Sequence, residues 1–321
     1  MKNNVNLFWS SYDMNEHTTY EEWINSKAKL SPFHALTLLS QSKQNNNVNL
    51  WTYQSINEES LPSGIKVCNA NEMVNGEDMF DALQRGHSIA HISDLVRIMA
   101  SLNCNGVIID MDAVLLKQYP NDKGFFSTMF AKKTGGLVPK WKENNPPFVI
   151  HDNSWDGKAL SMFPSKISEN SKGLFLDLAN GIYEALNKPL VKNKKFWNFV
   201  MWGLKDIAKY DTTSKVYQPI SFCPIPGWLP SGKCYSLESP TRLNETPTYV
   251  FGQELPSISA ILNESYVCQH FFDSVFRSVI IKQDPLYWYK VKDGSLLSEE
   301  ARKIAGENWR FELTQITNRL I

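Results

Sequence analysis

Apolar residues in the first third of the chain come in short blocks whose spacing changes from one block to the next. Val5 to Ser10 has the length of a buried strand. From Ser31 to Ser42, Phe33, Leu36, Leu38 and Leu39 make the apolar face of a helix, with Ser31 suited to cap it and Pro32 to enter its first turn. Asn45-Asn46-Asn47 marks a turn, and Val48 to Tyr53 is β-branched and aromatic enough for a strand. Pro62-Ser63-Gly64 turns again into a third strand, Ile65 to Cys68. Ser88 to Asn103 carries Ile89, Ile92, Val96 and Met99 at spacings of three and four, which predicts a helix stopped by Asn105-Gly106. Gly106 to Leu116 then reads Gly-Val-Ile-Ile-Asp-Met-Asp-Ala-Val-Leu-Leu. The unbroken apolar run before Asp110 is the pattern of a strand covered on both faces.

Strands alternating with helices over residues 1 to 120 predict an α/β sheet. Ligands gather at the carboxyl ends of the strands in such sheets, and Asp110 and Asp112 lie at that end of the strand Val107 to Ile109. The second half reads as mostly helical, with helices over Ser171 to Leu186 and Lys195 to Tyr210 and one closing helix over Ser295 to Ile321. Pro219 to Pro240 is rich in Pro, Gly and Ser and reads as loop, and Phe271 to Ile281 is short and apolar. No linker-like stretch divides the chain, so a single domain over 1 to 321 is expected.

Charge narrows the choice of partners. The 33 basic and 33 acidic residues cancel, which argues against nucleic acid as the main ligand. The five cysteines are scattered with no C-x-x-C pair, so neither a zinc module nor a dithiol site is indicated, and buried thiols in a reducing compartment are the simplest reading. No apolar signal segment opens the chain and no run of 18 apolar residues occurs. The expectation is a cytoplasmic or membrane-peripheral protein without a transmembrane segment, or one exported without a cleaved signal.

Two carboxylates one residue apart at a bending strand end can converge on a hard cation, Mn²⁺ or Mg²⁺, or simply sit solvated in a turn. Asp94 and Arg97, three residues apart, share a face of the preceding helix. They form either a surface ion pair or a pair that binds hydroxyls and phosphate oxygens beside the metal. His87 and His91 lie four apart but have no third ligand at suitable spacing. A P-loop, a nucleophile elbow and a Gly-x-Gly-x-x-Gly motif are all absent.

Ser93-Asp94-x-x-Arg97, then Asn105-Gly106, an apolar strand and Asp110-x-Asp112 together resemble the DXD-containing sugar-transferase group. That group includes bacterial capsular and lipopolysaccharide transferases, fungal Golgi mannosyltransferases and the glucosyltransferase domains of large clostridial toxins. Its usual signature, Ser-Asp-x-x-Arg followed by Gly-Gly-x-Tyr-x-Asp-x-Asp, is met without a gap, with Asn105 for the first glycine and Ile108 for the aromatic. Leu7-Phe8-Trp9, Leu50-Trp51-Thr52-Tyr53 and Pro62-x-Gly64 resemble the family's first strands and turn. Past residue 120, Tyr266-Val-Cys-Gln-His270 resembles a late segment of some members, whereas the Gly-Pro pair expected near 203 to 208 is missing.

The resemblance implies a GT-A type fold, with a nucleotide-sugar and metal-binding core over 1 to 120 and an acceptor-side and lid region over 121 to 321. It implies transfer of a hexose or N-acetylhexosamine from a nucleoside diphosphate sugar, such as a UDP-sugar, to an acceptor hydroxyl with retention, in bacterial surface polysaccharide synthesis. A toxin-type transferase acting on a host protein and a non-catalytic sugar-binding protein of the same fold are the alternatives. By the same resemblance Asp110 and Asp112 hold Mn²⁺ or Mg²⁺, Asp94, Arg97 and Asp110 hold the donor, and Trp9 either stacks on the base or packs in the core. His270 is either a further metal ligand or a packed core histidine.

Overall fold

Val5 and Leu7 point to one side of the first strand and Phe8 to the other, and the two sides meet different layers of helices. A computed structural model describes residues 3–44, 46–130, 158–190, 193–224, 249–250, 253–254, 257–269 and 284–321. Eleven strands occur among them: β1 (Asn4–Phe8), β2 (Asn47–Thr52), β3 (Ile65–Asn69), β4 (Val107–Ile108), β5 (Ala113–Leu115), β6 (Phe125–Phe130), β7 (Lys158–Lys166), β8 (Lys215–Tyr217), β9 (Tyr249–Val250), β10 (Gln253–Glu254) and β11 (Val267–Gln269). The α-helices are α1 (Tyr20–Asn25), α2 (Pro32–Lys43), α3 (Gly76–Gln84), α4 (Ile89–Cys104), α5 (Lys172–Leu186), α6 (Asn193–Tyr210), α7 (Pro219–Phe222), α8 (Ile258–Glu264), α9 (Tyr287–Lys290), α10 (Leu296–Ala305) and α11 (Trp309–Leu320).

Seven strands form one sheet in the order β3-β2-β1-β4-β7-β6-β8. β3, β2, β1 and β4 are mutually parallel, β7 runs antiparallel to both neighbours, and β8 is parallel to β6. The fold is mixed α/β with a largely parallel central sheet. The chain steps outward from β1 to β2 to β3, then returns to the other side of β1 as β4. The reversal lies between β1 and β4, and a crevice opens at such a point beyond the carboxyl ends of the strands.

Helices cover both faces. On one face α2, α10 and α11 pack Phe33, Leu36, Leu297, Trp309 and Leu313 against Val5, Leu7, Val107 and Ile109. On the other, α3 to α6 bring Phe80, Ile92, Val96, Phe175 and Val200 against Phe8, Trp51, Ile108 and Phe126. Each of these fully covered side chains contributes roughly 1.5–3 kcal/mol. Burial on both faces explains why β4 and the residue after it, Val107 to Ile109, read as a continuous apolar run.

The turn into β4 is sterically set. Asn105 has φ of 55° and Gly106 of 121°, and a Cβ on Gly106 would lie 2.6 Å from the Asn4 carbonyl oxygen. The glycine lets β4 start tightly against β1. The run from Gly106 to Leu116 is not one strand: β4 ends at Ile108, residues 111 and 112 turn, and β5 leaves the main sheet to pair antiparallel with β11.

Two expectations for the second half are corrected. Its described residues are more helical than extended, but the sheet does not stop at residue 120: β6, β7 and β8 carry it further. β4 ends in the interior of that sheet, so its free edge required a partner, which β7 supplies. The closing helix is two helices, broken where Gly306 takes φ of 79°. The break lets Trp309 turn inward against Trp288, ring centroids 6.3 Å apart.

Candidate functional site

Helix α4 runs back along the sheet into β4, so its first turns stand at the carboxyl end of that strand. Asp94 and Arg97 project from those turns into the interior, at 3 % and 2 % exposure. They are not a surface pair. The Arg97 guanidinium forks: Nη2 donates to Asp94 Oδ1 at 3.1 Å, Nη1 donates to Asp110 Oδ1, and Nε donates to the Ser93 carbonyl at 3.2 Å. One cation thus ties the helix to the residue just past β4. A planar fork is the group that can serve two carboxylates at fixed angles.

Alternation along the strand explains the arrangement. Ile109 faces the α2 side of the sheet and Ile108 the α4 side; Asp110, next in the alternation, turns back toward α4 and meets Arg97. Asp110 and Asp112 are both half-buried, with Met111 between them buried toward α2.

Burial pushes the Asp94 carboxyl up to about 8, opposing the pull of Arg97 and reinforced by the nearby charge of Asp110. Its Oδ2 is buried and has no hydrogen-bond partner among the described residues. An orphaned carboxylate oxygen beside a guanidinium is costly unless a ligand completes it.

Trp9 follows β1 directly. Its backbone N–H donates to the Trp51 carbonyl at 3.0 Å, and its indole Nε1 donates to the Lys29 carbonyl at 3.0 Å. The ring meets His34 edge-on, centroids 4.0 Å apart, and remains half-buried. Trp9 is therefore both packed and partly open, at the carboxyl end of β1. The loop after it is anchored by Gln54, whose Oε1 accepts the Ser11 N–H at 2.7 Å.

His270 lies outside the described residues. The strand leading to it is described: Gln269 pairs with Ala113, the residue after Asp112. Asp110 and Asp112 offer hard oxygen donors suited to Mn²⁺ or Mg²⁺. No group of three or more His, Cys, Asp or Glu able to hold a metal occurs among the described residues. A cation here would need further ligands from a bound phosphate, from water or from elsewhere in the chain, which fits a diphosphate-binding cation better than a closed structural site.

The histidines set aside as a metal pair have another use. His91 Nδ1 accepts the Ser88 N–H at 3.4 Å, and His87 Nε2 contacts the Lys188 carbonyl at 2.8 Å. His34 Nδ1 likewise accepts the Ser31 N–H at 3.0 Å. Helices α2 and α4 thus both open on a Ser-x-x-His cap, where the imidazole takes the place usually held by Glu or Gln. Both rings accept through a bare nitrogen, and burial lowers His34 to about 3 and His91 to about 4.

No protein-family profile and no curated protein matches the chain. Among solved structures, one described as "PaToxG Glycosyltransferase" is similar with a TM-score of 0.37 and 14 % identity, over 66 % of this chain and 72 % of that chain. The likeness is too slight to transfer an activity. Among the described residues no helix is long and apolar enough to cross a membrane.

Proposed function

We propose that the chain is a glycosyltransferase of GT-A type. In this reading it uses a nucleoside diphosphate sugar, with a UDP-sugar as the first donor to test, and Mn²⁺ or Mg²⁺ held by Asp110 and Asp112. The observation that carries the reading is the bridge from the buried Asp94 and Arg97 to the half-buried Asp110 at the β1/β4 reversal, with Asp94 Oδ2 left without a partner among the described residues.

In this reading each part of the donor has a residue to meet it. Trp9, fixed at its indole nitrogen and half open, supplies an aromatic face for the base. Asp94 accepts from or donates to a ribose or sugar hydroxyl through Oδ2. Arg97 orients Asp110 and keeps the buried Asp94 charge-compensated, and any contact with phosphate is secondary to that. The cation, when bound, neutralises the diphosphate as it leaves. In the transfer the bond from the anomeric carbon to the diphosphate oxygen breaks and one to the acceptor oxygen forms, the acceptor's proton passing to solvent. The acceptor is a glycan or a protein hydroxyl; surface-polysaccharide assembly and host-protein modification share this chemistry.

A thermal-shift panel of UDP-, GDP- and CMP-sugars, with and without Mn²⁺, tests the proposal. A ligand present at 100 times its Kd adds about 2.7 kcal/mol of stability, so one nucleotide class should raise Tm in a Mn²⁺-dependent way. No shift with any donor would reject the reading. A shift without sugar turnover would favour a non-catalytic binding protein.

A further inference from the structure

Helix α2 is buried on its polar positions as well as its apolar ones: Thr37, Ser40 and Gln41 are all at 0 % exposure. Thr37 Oγ1 donates to the carbonyl of Met111 at 3.0 Å, across 74 residues of sequence. One helical turn on, Ser40 Oγ accepts the N–H of Leu115 at 2.9 Å while donating to the Thr37 carbonyl at 2.7 Å. Two hydroxyls on one helix thus hold the β4–β5 turn at Met111 and the far end of β5 at Leu115. Met111 is the residue between the two aspartates. Its carbonyl belongs to the peptide plane that enters Asp112, so the hydrogen bond from Thr37 fixes the backbone from which Asp112 projects. The surroundings are apolar, with Leu36, Met111 and Val114 in the same core cluster, so little water is at hand to replace the hydroxyl.

We propose that Thr37, seconded by Ser40, is a positioning residue for the Asp110-Met111-Asp112 turn, setting the direction in which Asp112 meets a divalent cation bound with a nucleoside diphosphate. The inference rests on the cation reading of Asp110 and Asp112. Partners of this kind, one bond removed from the ligand, typically change metal affinity about 10–100-fold when lost. A hydroxyl that merely supported the core would change stability and leave the affinity alone.

The test is Mn²⁺ binding by the intact chain, measured calorimetrically in the presence of UDP, for wild type, Thr37→Val and Thr37→Ser. Thr37→Val keeps the shape and removes the donor; Thr37→Ser keeps the donor and removes a methyl. The expected result is Mn²⁺ affinity at least about 10-fold weaker in Thr37→Val and within about 3-fold of wild type in Thr37→Ser. Equal affinity in Thr37→Val and wild type overturns the proposal, as does an equal loss in both variants, which would assign the effect to packing. Should Thr37→Val not fold, Thr37→Cys, of similar volume but a weaker donor, must bind Mn²⁺ more weakly than Thr37→Ser, and equality overturns it. If wild type itself binds no Mn²⁺ with UDP, the cation reading fails and this inference fails with it; a defect confined to the variants speaks to Thr37 alone.

Discussion

Replacing Arg97 by lysine keeps the charge and removes the fork. In the structure the guanidinium contacts Asp94 Oδ1 at 3.1 Å, Asp110 Oδ1 and the Ser93 carbonyl at 3.2 Å. A lysine has one nitrogen at the end of a flexible stem and can satisfy one carboxylate at a time. A hydrogen bond to a charged partner is worth about 1.5–3 kcal/mol, and losing a buried ion's partner outright costs about 3–5 kcal/mol. Lysine retains one pairing, so a loss of about 2–4 kcal/mol is expected. At roughly 2.1 cal/mol/K of unfolding entropy per residue this lowers Tm by about 3–6 °C. Urea denaturation should show a lower midpoint with an unchanged m-value. Donor affinity should fall with it, because one nitrogen cannot hold Asp110 and Asp94 in their present orientations together. A lysine variant with the wild-type midpoint and wild-type affinity for the donor would refute the reasoning, since the bridge would then hold neither the fold nor the site.

Asp112→Asn should abolish sugar transfer by at least the roughly 100-fold that outer-shell partners of metals can cost, with Tm unchanged; full activity in a Mn²⁺-dependent transfer assay would remove Asp112 from the cation site. His270→Ala should weaken Mn²⁺-supported turnover more than Mg²⁺-supported turnover, because imidazole nitrogen suits the softer ion, and equal losses would point to packing. His34→Gln keeps an acceptor for the Ser31 N–H but cannot titrate. Burial holds the folded-state pKa of His34 down at about 3, against about 6.5 in the unfolded chain. Its contribution to stability is therefore complete above pH ~6.5 and is lost as pH falls toward 3. The variant should lose less stability than wild type between about pH 7 and 4.5 by thermal denaturation, and parallel profiles would show that the ring's protonation does not matter.

The parallel half of the sheet was readable from spacing alone, because its strands are short, apolar and flanked by polar turns. The predicted strands at Val5, Val48, Ile65 and Val107 and the predicted helices from Ser31 and from Ser88 are the ones observed, within a residue or two at their ends. Asp94, Arg97, Asp110 and Asp112 were named from their spacing, but spacing cannot say which way a side chain turns. Only the packing of α4 against β4 made Asp94 and Arg97 an interior bridge to Asp110 rather than a surface pair. Thr37 gave no signal at all, since a threonine in a helical pattern reads as a neutral surface position until the fold lays the turn at Met111 against it. The strands β7 and β8 were missed because Ser161, Pro164 and Ser165 interrupt the apolar residues of Lys158–Lys166 and because Lys215–Tyr217 is only three residues long. The kink at Gly306 was hidden for a different reason: a glycine in a helical pattern is tolerated or left-handed according to what its far side must reach, and here that was the core position of Trp309. Local chemistry determined the elements and the cast of residues, and the decisions about who touches whom waited for burial, which is a property of the whole chain.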